Sequence, residues 1–297
     1  MSVTVRVPAK VNVQLSVGAA RPDGFHDLAN VFLAVGLHDE VTVTPADSLR
    51  VTCEGPDAAE VPLDRTNLAA RAALALAARD GRSPDVHIHI AKDIPVAGGM
   101  AGGSADGAGA LLACDTLWQT GTPHDELLEI CAELGSDVPF SLTGGAALGT
   151  GRGERLTRLD VGGVFHWVFA QAEGGLSTPA VYREFDRLHE GHRIPEPLVS
   201  PLLLDALASG DPAALAATIG NDLQPAALSL FPALADTLEA GTKAGALAAL
   251  VSGSGPTTAF LTEDEPSAVA VAEALTASGS CRAVRTATSP AAGATVI

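Results

Sequence analysis

A glycine-rich segment from Asp93 to Asp106, DIPVAGGMAGGSAD, contains the residues best suited to chemistry in this chain. Its glycines precede Ser104 and a long apolar stretch that is typical of a helix. A glycine-rich turn opening onto a helix presents free backbone N–H groups and the positive end of the helix dipole, which favours polyphosphate binding. The segment lacks the lysine of a Walker A loop and the GxGxxG dinucleotide pattern. The alternative interpretation is a flexible turn between a strand and a helix.

A phosphate-binding loop without its own lysine needs positive charge from Mg²⁺, from a distant lysine or from both. Lysine is scarce in this chain, with three residues against fifteen arginines, so Lys10 near the N-terminus is notable. Asp137 lies in a short turn between Gly135 and Pro139, after a predicted helix. It is either a rigidly held catalytic carboxylate or an Asx turn at the helix exit. Asp106 falls in the first turn of the loop helix, where a carboxylate stabilises the dipole, so we assign it a structural role.

Aromatic and histidine residues supply further candidate groups. Phe25 and Tyr182 both stand beside a turn or a helix start, where each could stack on a planar ligand; ordinary packing is the alternative. His87 and His89 lie on one face of a predicted strand, and such a pair can bind zinc. No cysteine or carboxylate cluster accompanies the pair, which favours a solvated strand face. There is no GxSxG elbow, and SGSGP around Ser254 is more typical of a tight turn.

The composition excludes several classes of function. With 297 residues, 47% of them hydrophobic, the chain can bury a large core in one or two domains. A net charge of −17 argues against a nucleic-acid partner, which requires a basic surface. The N-terminus alternates like a strand, and no apolar run reaches the roughly 18 residues that span a bilayer. The four cysteines are scattered without a CxxC pair, so we expect free thiols in a cytoplasmic protein with no membrane partner.

Hydrophobic periodicity and turn residues predict the elements that position these groups. In the first half, the predicted strands span 3–15 (with a bend at Pro8–Lys10), 31–35, 40–45, 49–54 and 86–90. The predicted helices of this half span 67–79, 104–118 and 124–134. The residues from Ser136 to Pro139 are predicted to form a connector.

In the second half, the predicted strands span 166–171, 246–251, 257–261 and 283–288. The predicted helices span 178–188, 201–209, 212–219, 234–240 and 266–278. A change of composition near residues 159–163 suggests two domains, 1–160 and 161–297. Because strands and helices do not alternate strictly, the pattern favours an α+β fold over a doubly wound α/β fold.

Three motifs, in order, resemble those of the GHMP kinases, the superfamily of galactokinase, homoserine kinase and mevalonate kinase. They are PAKVN at 8–12, the glycine-rich loop at 94–104 and VSGSGP at 251–256. Further segments resemble the branch of this superfamily that acts on a cytidylated alcohol. These are PAKVNVQL, RPDGFHDL (21–28), LGSDVPF (134–140), GTGRGE (149–154), STPAVY (177–182) and NDLQP (221–225), which together cover nearly the whole chain.

The resemblance implies an ATP-dependent kinase, with Mg²⁺, that phosphorylates the 2-hydroxyl of 4-diphosphocytidyl-2-C-methyl-D-erythritol in the non-mevalonate route to isoprenoid precursors. It implies an N-terminal ATP-binding domain of the ribosomal S5 domain 2-like type and a ferredoxin-like C-terminal substrate domain. ATP and substrate would meet in the cleft between them. We expect a monomer or a weak homodimer.

The resemblance also implies roles for individual residues. Asp137 would accept the proton of the substrate hydroxyl, while Lys10 would keep that carboxylate ionised and stabilise developing charge. Ser104 and Asp137 are the candidates for holding Mg²⁺. The residues that would wrap the ATP phosphates are Pro95, Val96, Ala97, Gly98, Gly99, Met100, Ala101, Gly102, Gly103 and Ser104.

At the other end of the site, Phe25 and Tyr182 would sandwich the cytosine ring. His26 would hydrogen-bond the cytosine edge, and Asn12 would lie near the methylerythritol end. Two alternatives remain open: a GHMP kinase for another alcohol, such as homoserine or a sugar, and a nucleotide-binding protein without catalysis. Inhibition by CDP or CMP distinguishes a kinase for a cytidylated substrate from the first alternative. The effect of replacing Asp137 distinguishes a kinase from the second alternative.

The chain departs from the family pattern at three positions. Phe25 stands where relatives commonly have tyrosine, so stacking is retained but a hydroxyl hydrogen bond is lost. Ala97 and Ala101 stand where many relatives have glycine. Because alanine is strained at positive φ, we expect both alanines to have ordinary, negative φ angles.

Overall fold

The computed structural model describes residues 2–297, which form two β-sheets and the helices that cover them. The strands are β1 (Val3–Ala20), β2 (His26–Pro45), β3 (Arg50–Glu54), β4 (Val86–Ala91), β5 (Ala146–Thr150), β6 (Arg155–Arg158), β7 (Phe165–Gln171), β8 (Gly220–Asn221), β9 (Ala248–Val251), β10 (Thr258–Thr262), β11 (Ala283–Ser289) and β12 (Thr295–Val296). The helices are α1 (Leu68–Arg79), α2 (Gly102–Trp118), α3 (His124–Leu134), α4 (Val138–Thr143), α5 (Thr178–Leu188), α6 (Pro201–Ser209), α7 (Pro212–Ala216), α8 (Gln224–Leu230), α9 (Leu234–Lys243) and α10 (Glu265–Ser278).

The two longest strands, β1 and β2, form one extended antiparallel hairpin. The predicted division into shorter strands, including separate ones at 31–35 and 40–45, is therefore wrong. The register of the hairpin shifts between Pro8 and Ala9, and it shifts twice more further along. Such bulges let a strand accommodate a proline, which lacks an N–H group, and bend without ending.

The first sheet has the order β12-β1-β2-β4-β3, with β5 and β6 continuing from β2 and β8 pairing with β1. Helices α1 and α2 pack close to this sheet because small residues face it. At Gly109 in α2, an added methyl group would come within 2.8 Å of Val7 Cγ2 and 2.9 Å of Val41 Cγ2. The abundance of alanine and glycine thus permits the close helix–sheet approach that places the start of α2 beside β1.

The second sheet is antiparallel, with the order β11-β7-β10-β9. Side chains such as Phe260 and Leu275 pack with α9 and α10 on one face. Trp167 and Phe169 point into the core that includes Leu203 of α6. The mixed, non-alternating arrangement confirms the predicted α+β class. Strands β8 and β12, from the second half of the sequence, join the first sheet, while a domain boundary near residue 160 stays a prediction.

Most predicted helices are found within a few residues of their predicted ends, but two short helices are not predicted by the sequence pattern. Helix α4 begins directly after Asp137, where a connector is expected, and Pro139 falls in its first turn. Proline is compatible with this position because the first N–H groups of a helix have no internal partner. Helix α8 is the second addition. No helix within residues 2–297 has the length and apolar character needed to cross a membrane.

Candidate active site

A cleft of about 820 Å³ lies where distant segments of the chain converge, among them the turn that carries Asp137 and five others. The five others are β1, the hairpin turn before β2, the glycine-rich loop, the start of α5 and the turn between β9 and β10. Its volume is in the range of small-molecule and cofactor sites. Every predicted site residue except Val96 and Met100 lines this cleft.

The glycine-rich loop connects β4 to α2 and forms one wall of the cleft. Eight of its ten predicted phosphate-binding residues line the cleft. Met100 is instead fully buried in the core, and its carbonyl accepts the backbone N–H of Lys10 at 3.2 Å. Helix α2 opens at Gly102 without a side-chain cap, so the N–H groups of its first turn are available to an anion.

Two alanines in this loop have the backbone conformation that glycine favours, which overturns our expectation of negative φ angles. Ala97 has φ 52° and Ala101 has φ 61°. A left-handed conformation costs a non-glycine residue about 1–2 kcal/mol, and it persists only where the surroundings impose it. The turn between β9 and β10 holds the middle of this loop, because Ser252 Oγ donates to Gly99 O at 3.1 Å. Both alanines therefore adopt the backbone conformation that glycine favours.

Lys10 and Asp137 both line the cleft and lie beside each other. Lys10 comes from β1 and is only 5% exposed, and its Nζ lies 3.7 Å from Oδ2 of Asp137 at the start of α4. Burial lowers the pKa of Lys10, and the nearby Asp137 carboxylate partly opposes that effect. The Asp137 side chain makes no capping hydrogen bond to α4, which argues against the purely structural alternative. The pair therefore combines a proton-accepting carboxylate with a buried positive charge, the two groups that general-base catalysis of phosphoryl transfer can use.

A short chain of amides fixes the orientation of Lys10. Its Nζ donates to Asn12 Oδ1 at 2.5 Å, and Asn12 Nδ2 donates to Asn30 Oδ1 at 2.7 Å. Both asparagines are buried, so each amide is held in one orientation. Asn12 faces the cleft as predicted, whereas Asn30 was not predicted because it lies in an ordinary-looking stretch of β2.

The aromatic end of the cleft contains Phe25, His26 and Tyr182. Phe25 is 47% exposed, and the Arg152 guanidinium lies 4.9 Å from its ring centroid. The rings of His26 and Tyr182 are 4.9 Å apart at an interplanar angle of 34°. His26 Nε2–H donates to Asp186 Oδ1 at 2.8 Å. Sequence reasoning missed Arg152 and Asp186, since charged residues in a loop and on a helix carry no distinguishing pattern.

A buried cluster of three charged side chains stabilises the start of the glycine-rich loop. Lys92 Nζ donates to Asp39 Oδ2 at 2.5 Å and to Asp106 Oδ2 at 2.9 Å. Asp39 Oδ1 also accepts the N–H groups of Asp93 and Ile94 as the chain enters the loop. Burial raises the pKa of Asp106 to about 7, and its Oδ1 has no hydrogen-bond partner within residues 2–297. Asp106 thus has the expected structural role, since Lys92 and Asp39 connect it, in α2, to the start of the glycine-rich loop at Asp93 and Ile94.

His87 and His89 lie away from the cleft. Thr52 Oγ1 is 2.7 Å from His87 Nε2 and 2.9 Å from His89 Nδ1, so both rings have a partner. Across the part of the chain that the structure describes, no three His, Cys, Asp or Glu side chains form a group that could hold a metal ion. The interpretation as a solvated strand face is therefore favoured over zinc.

The oxygen donors in the cleft fit Mg²⁺ only if a bound phosphate completes its coordination. Ser104 and Asp137 offer oxygen ligands, the type that Mg²⁺ prefers. Because the described residues hold no all-protein cage, an ion here would have to share its ligands with a bound phosphate.

Comparison with known proteins extends these observations. The family described as "GHMP kinases N terminal domain" matches residues 67–145, and "GHMP kinases C terminal" matches residues 203–281. The 4-diphosphocytidyl-2-C-methyl-D-erythritol kinase of Streptomyces avermitilis is 80% identical over 297 residues, covering 100% of both chains. The enzyme of that name from Thermobifida fusca is 59% identical, covering 100% of this chain and 98% of the other.

Solved structures agree with this assignment. A crystal structure of 4-(cytidine 5'-diphospho)-2C-methyl-D-erythritol kinase matches with a TM-score of 0.78 and 34% identity, covering 96% of this chain and 98% of that one. Homoserine kinase from Cytophaga hutchinsonii matches with a TM-score of 0.75 at 20% identity, covering 100% of this chain and 97% of that one, which shows a common fold only. The chain belongs to the 4-diphosphocytidyl-2-C-methyl-D-erythritol kinase family of the GHMP kinases.

Proposed function

We propose that this protein transfers the γ-phosphoryl group of ATP to the 2-hydroxyl of 4-diphosphocytidyl-2-C-methyl-D-erythritol, in the non-mevalonate route to isoprenoid precursors. One observation carries the assignment of chemistry to this cleft. The Lys10–Asp137 pair lines the same cleft as a helix N-terminus suited to phosphates and a group of aromatic residues suited to a nucleobase. An alcohol linked to a cytidine diphosphate can therefore bind with its base at one end and its hydroxyl beside the carboxylate.

Asp137 is the general base in this proposal. It accepts the proton of the substrate hydroxyl as the hydroxyl oxygen attacks the γ-phosphorus in line with the leaving ADP oxygen. Lys10 keeps the carboxylate ionised and stabilises the negative charge on the transferred group. Because phosphoryl transfer is accelerated mainly by positioning and electrostatics, the fixed amides of Asn12 and Asn30 contribute by holding Lys10 in place.

The glycine-rich loop holds ATP. The loop residues from Pro95 to Ser104 wrap the phosphates, and the first N–H groups of α2 donate to them. Bound Mg²⁺ supplies further positive charge to the phosphates, and Ser104 and Asp137 are the residues that would hold it.

The aromatic end recognises the base. Phe25 and Tyr182 stack on the two faces of cytosine, and His26 hydrogen-bonds its edge, with its ring fixed by Asp186. Asn12 lies toward the methylerythritol end. A kinase for homoserine or a simple sugar has no use for this arrangement, which favours the cytidylated substrate.

The remaining expectations are also proposals. We propose that residues 1–160 form the ATP-binding domain and residues 161–297 the substrate domain, the latter contributing Tyr182 to the cleft. We further propose a cytoplasmic monomer or weak homodimer without a nucleic-acid partner, in keeping with the net charge of −17.

Identification of the product tests the proposal. The protein is incubated with ATP, Mg²⁺ and 4-diphosphocytidyl-2-C-methyl-D-erythritol, and the product is examined by ³¹P and ¹³C NMR. We expect one new phosphomonoester whose phosphorus couples to the methyl-bearing carbon, with one ADP formed per product. Phosphate on another hydroxyl would contradict the 2-hydroxyl assignment, and the absence of product would contradict the kinase activity.

A further inference from the structure

The turn between β9 and β10 contacts both the glycine-rich loop and Lys10. Ser252 Oγ donates to Gly99 O of the glycine-rich loop at 3.1 Å. At Gly253, which has φ 57°, an added Cβ would lie 3.1 Å from Lys10 Nζ and 3.2 Å from Asn12 Oδ1. The position of this turn therefore limits where the Lys10 ammonium and the phosphate loop can lie.

One side chain outside the cleft fixes the turn. Asn221, in β8, donates from Nδ2 to Val251 O at 2.8 Å and to Gly253 O at 2.7 Å. Its Oδ1 accepts the N–H of Leu223 at 2.9 Å. Both amide protons and the amide oxygen are thus engaged, and the two carbonyls that it binds flank Ser252.

Asparagine suits this position for a chemical reason. A carboxylate has no hydrogen to donate, so an aspartate here would place negative charge against two carbonyl oxygens. A leucine of similar size would leave those carbonyls without their donor. β8 is in turn held by parallel pairing with β1, the strand that carries Lys10, with Leu15 opposite Asn221. Asn221 thereby links the turn to the same strand as the catalytic lysine.

We infer that Asn221 is a positioning residue for phosphoryl transfer, acting through Ser252 and Gly253 on the phosphate loop and on Lys10. The effect on phosphoryl transfer rests on the proposed function, whereas the effect on ATP binding does not. The inference predicts that loss of the Asn221 amide affects the phosphate loop and Lys10 most, because these groups contact the turn beside the two carbonyls that Asn221 binds. Phe25 and His26 belong to a different segment of the chain, so we expect base binding to change much less.

The test compares Asn221→Leu and Asn221→Asp with a matched control. Asp222→Asn serves as the control, because the neighbouring Asp222 carboxylate accepts the N–H of Val17, and an asparagine oxygen can do the same. We expect kcat of the Asn221 variants to fall roughly 10–100-fold, since small misplacement of reacting groups is costly. We expect the Kd of ATP, measured by calorimetry, to rise several-fold and the Kd of CMP to stay within two-fold of wild type.

A double-mutant cycle separates positioning from loss of structure. Ser252→Ala removes the contact with Gly99, so its effect on kcat should be strongly non-additive with that of Asn221→Leu. Additive effects, or kcat and ATP Kd both within two-fold of wild type in folded Asn221→Leu, would overturn the inference.

If Asn221→Leu does not fold, as judged by circular dichroism, Asn221→Ser keeps one donor and should show a smaller fall in kcat and the same unchanged CMP affinity. If wild type binds ATP but has no kinase activity, the proposed function fails, and the ATP Kd alone then decides the role of Asn221.

Discussion

Lys10 Nζ lies 3.7 Å from Asp137 Oδ2, although the two residues come from opposite ends of the N-terminal half of the sequence. The ammonium is buried and bound to Asn12, whereas the carboxylate side chain is 32% exposed toward the cleft. The lysine is therefore the fixed member of the pair and the aspartate the member that meets substrate. This difference supports our proposal that Asp137 accepts the proton and that Lys10 stabilises charge.

Replacing the proposed base tests that assignment. We expect Asp137→Asn to lower kcat about 10²–10⁴-fold, because an amide cannot accept the hydroxyl proton as a carboxylate does. The KM for ATP should change little. The measurement is steady-state ADP release, with Asp47→Asn, at an exposed position between β2 and β3, as the control. A variant that keeps kcat within a few-fold of wild type would show that Asp137 is not the base.

Stacking by Phe25 is tested through substrate affinity. We expect Phe25→Ala to raise the KM for the cytidylated substrate about ten-fold or more, because stacking on an aromatic ring contributes roughly 1–3 kcal/mol per base. The KM for ATP should be unchanged, since the glycine-rich loop lies elsewhere in the cleft. Phe25→Tyr, which keeps the ring, is the matched control and should behave like wild type. Equal effects on both KM values would argue against a cytosine platform.

The raised pKa of Asp106 predicts a pH dependence of stability. The pKa is about 7 in the folded protein, against an ordinary value of 3.8, chiefly because of burial. The folded state therefore holds this proton more tightly than the unfolded state. The stabilisation is complete below pH 3.8 and is lost as the pH rises through 7, at up to ~1.4 kcal/mol per pH unit for one proton.

Asp106→Asn should remove this contribution. The free energy of unfolding, measured with urea between pH 5 and 8, should fall less steeply with pH in the variant than in wild type. Lys92 and Asp39 face Asp106 and remain in the variant as a single ion pair. Asp47→Asn should leave the slope unchanged. Identical slopes for wild type and Asp106→Asn would rule out titration of Asp106 as the cause.

The left-handed alanines predict an unusual response to glycine. At Ala101, glycine relieves about 1–2 kcal/mol of backbone strain and costs about 0.5–1 kcal/mol of chain entropy. Ala101→Gly should therefore raise or preserve the urea midpoint. Ala270→Gly, at an exposed position within α10, should instead destabilise by about 1 kcal/mol. Destabilisation of Ala101→Gly to the same extent would contradict the φ angle in the structure.

Local signals predicted much of the fold and the site. Helices with a clear start, such as α5 at Thr178 and α10 beside Pro266, begin within one residue of their predicted starts. The glycines before α2 also predicted a loop between a strand and a helix, which the structure contains, whereas phosphate binding by this loop stays a prediction. Phe25 and Tyr182 required the resemblance to a family to stand out from ordinary packing residues.

The remainder depends on contacts between distant segments. The positive φ of Ala97 and Ala101 occurs in a loop that the distant Ser252 holds at Gly99, a contact that no local pattern contains. The Lys92–Asp39–Asp106 group and the role of Asn221 likewise require three-dimensional proximity. Helix α4 was missed because a proline after Asp137 indicates a turn as readily as a helix start.

The most direct test of the proposed function is ADP release by the wild-type protein with ATP and Mg²⁺ on several alcohols. The set is 4-diphosphocytidyl-2-C-methyl-D-erythritol, homoserine, mevalonate and galactose, with CMP added as a competitor. We predict turnover of the cytidylated alcohol alone and its inhibition by CMP. Turnover of another alcohol, or of none while ATP still binds, would contradict the proposed function.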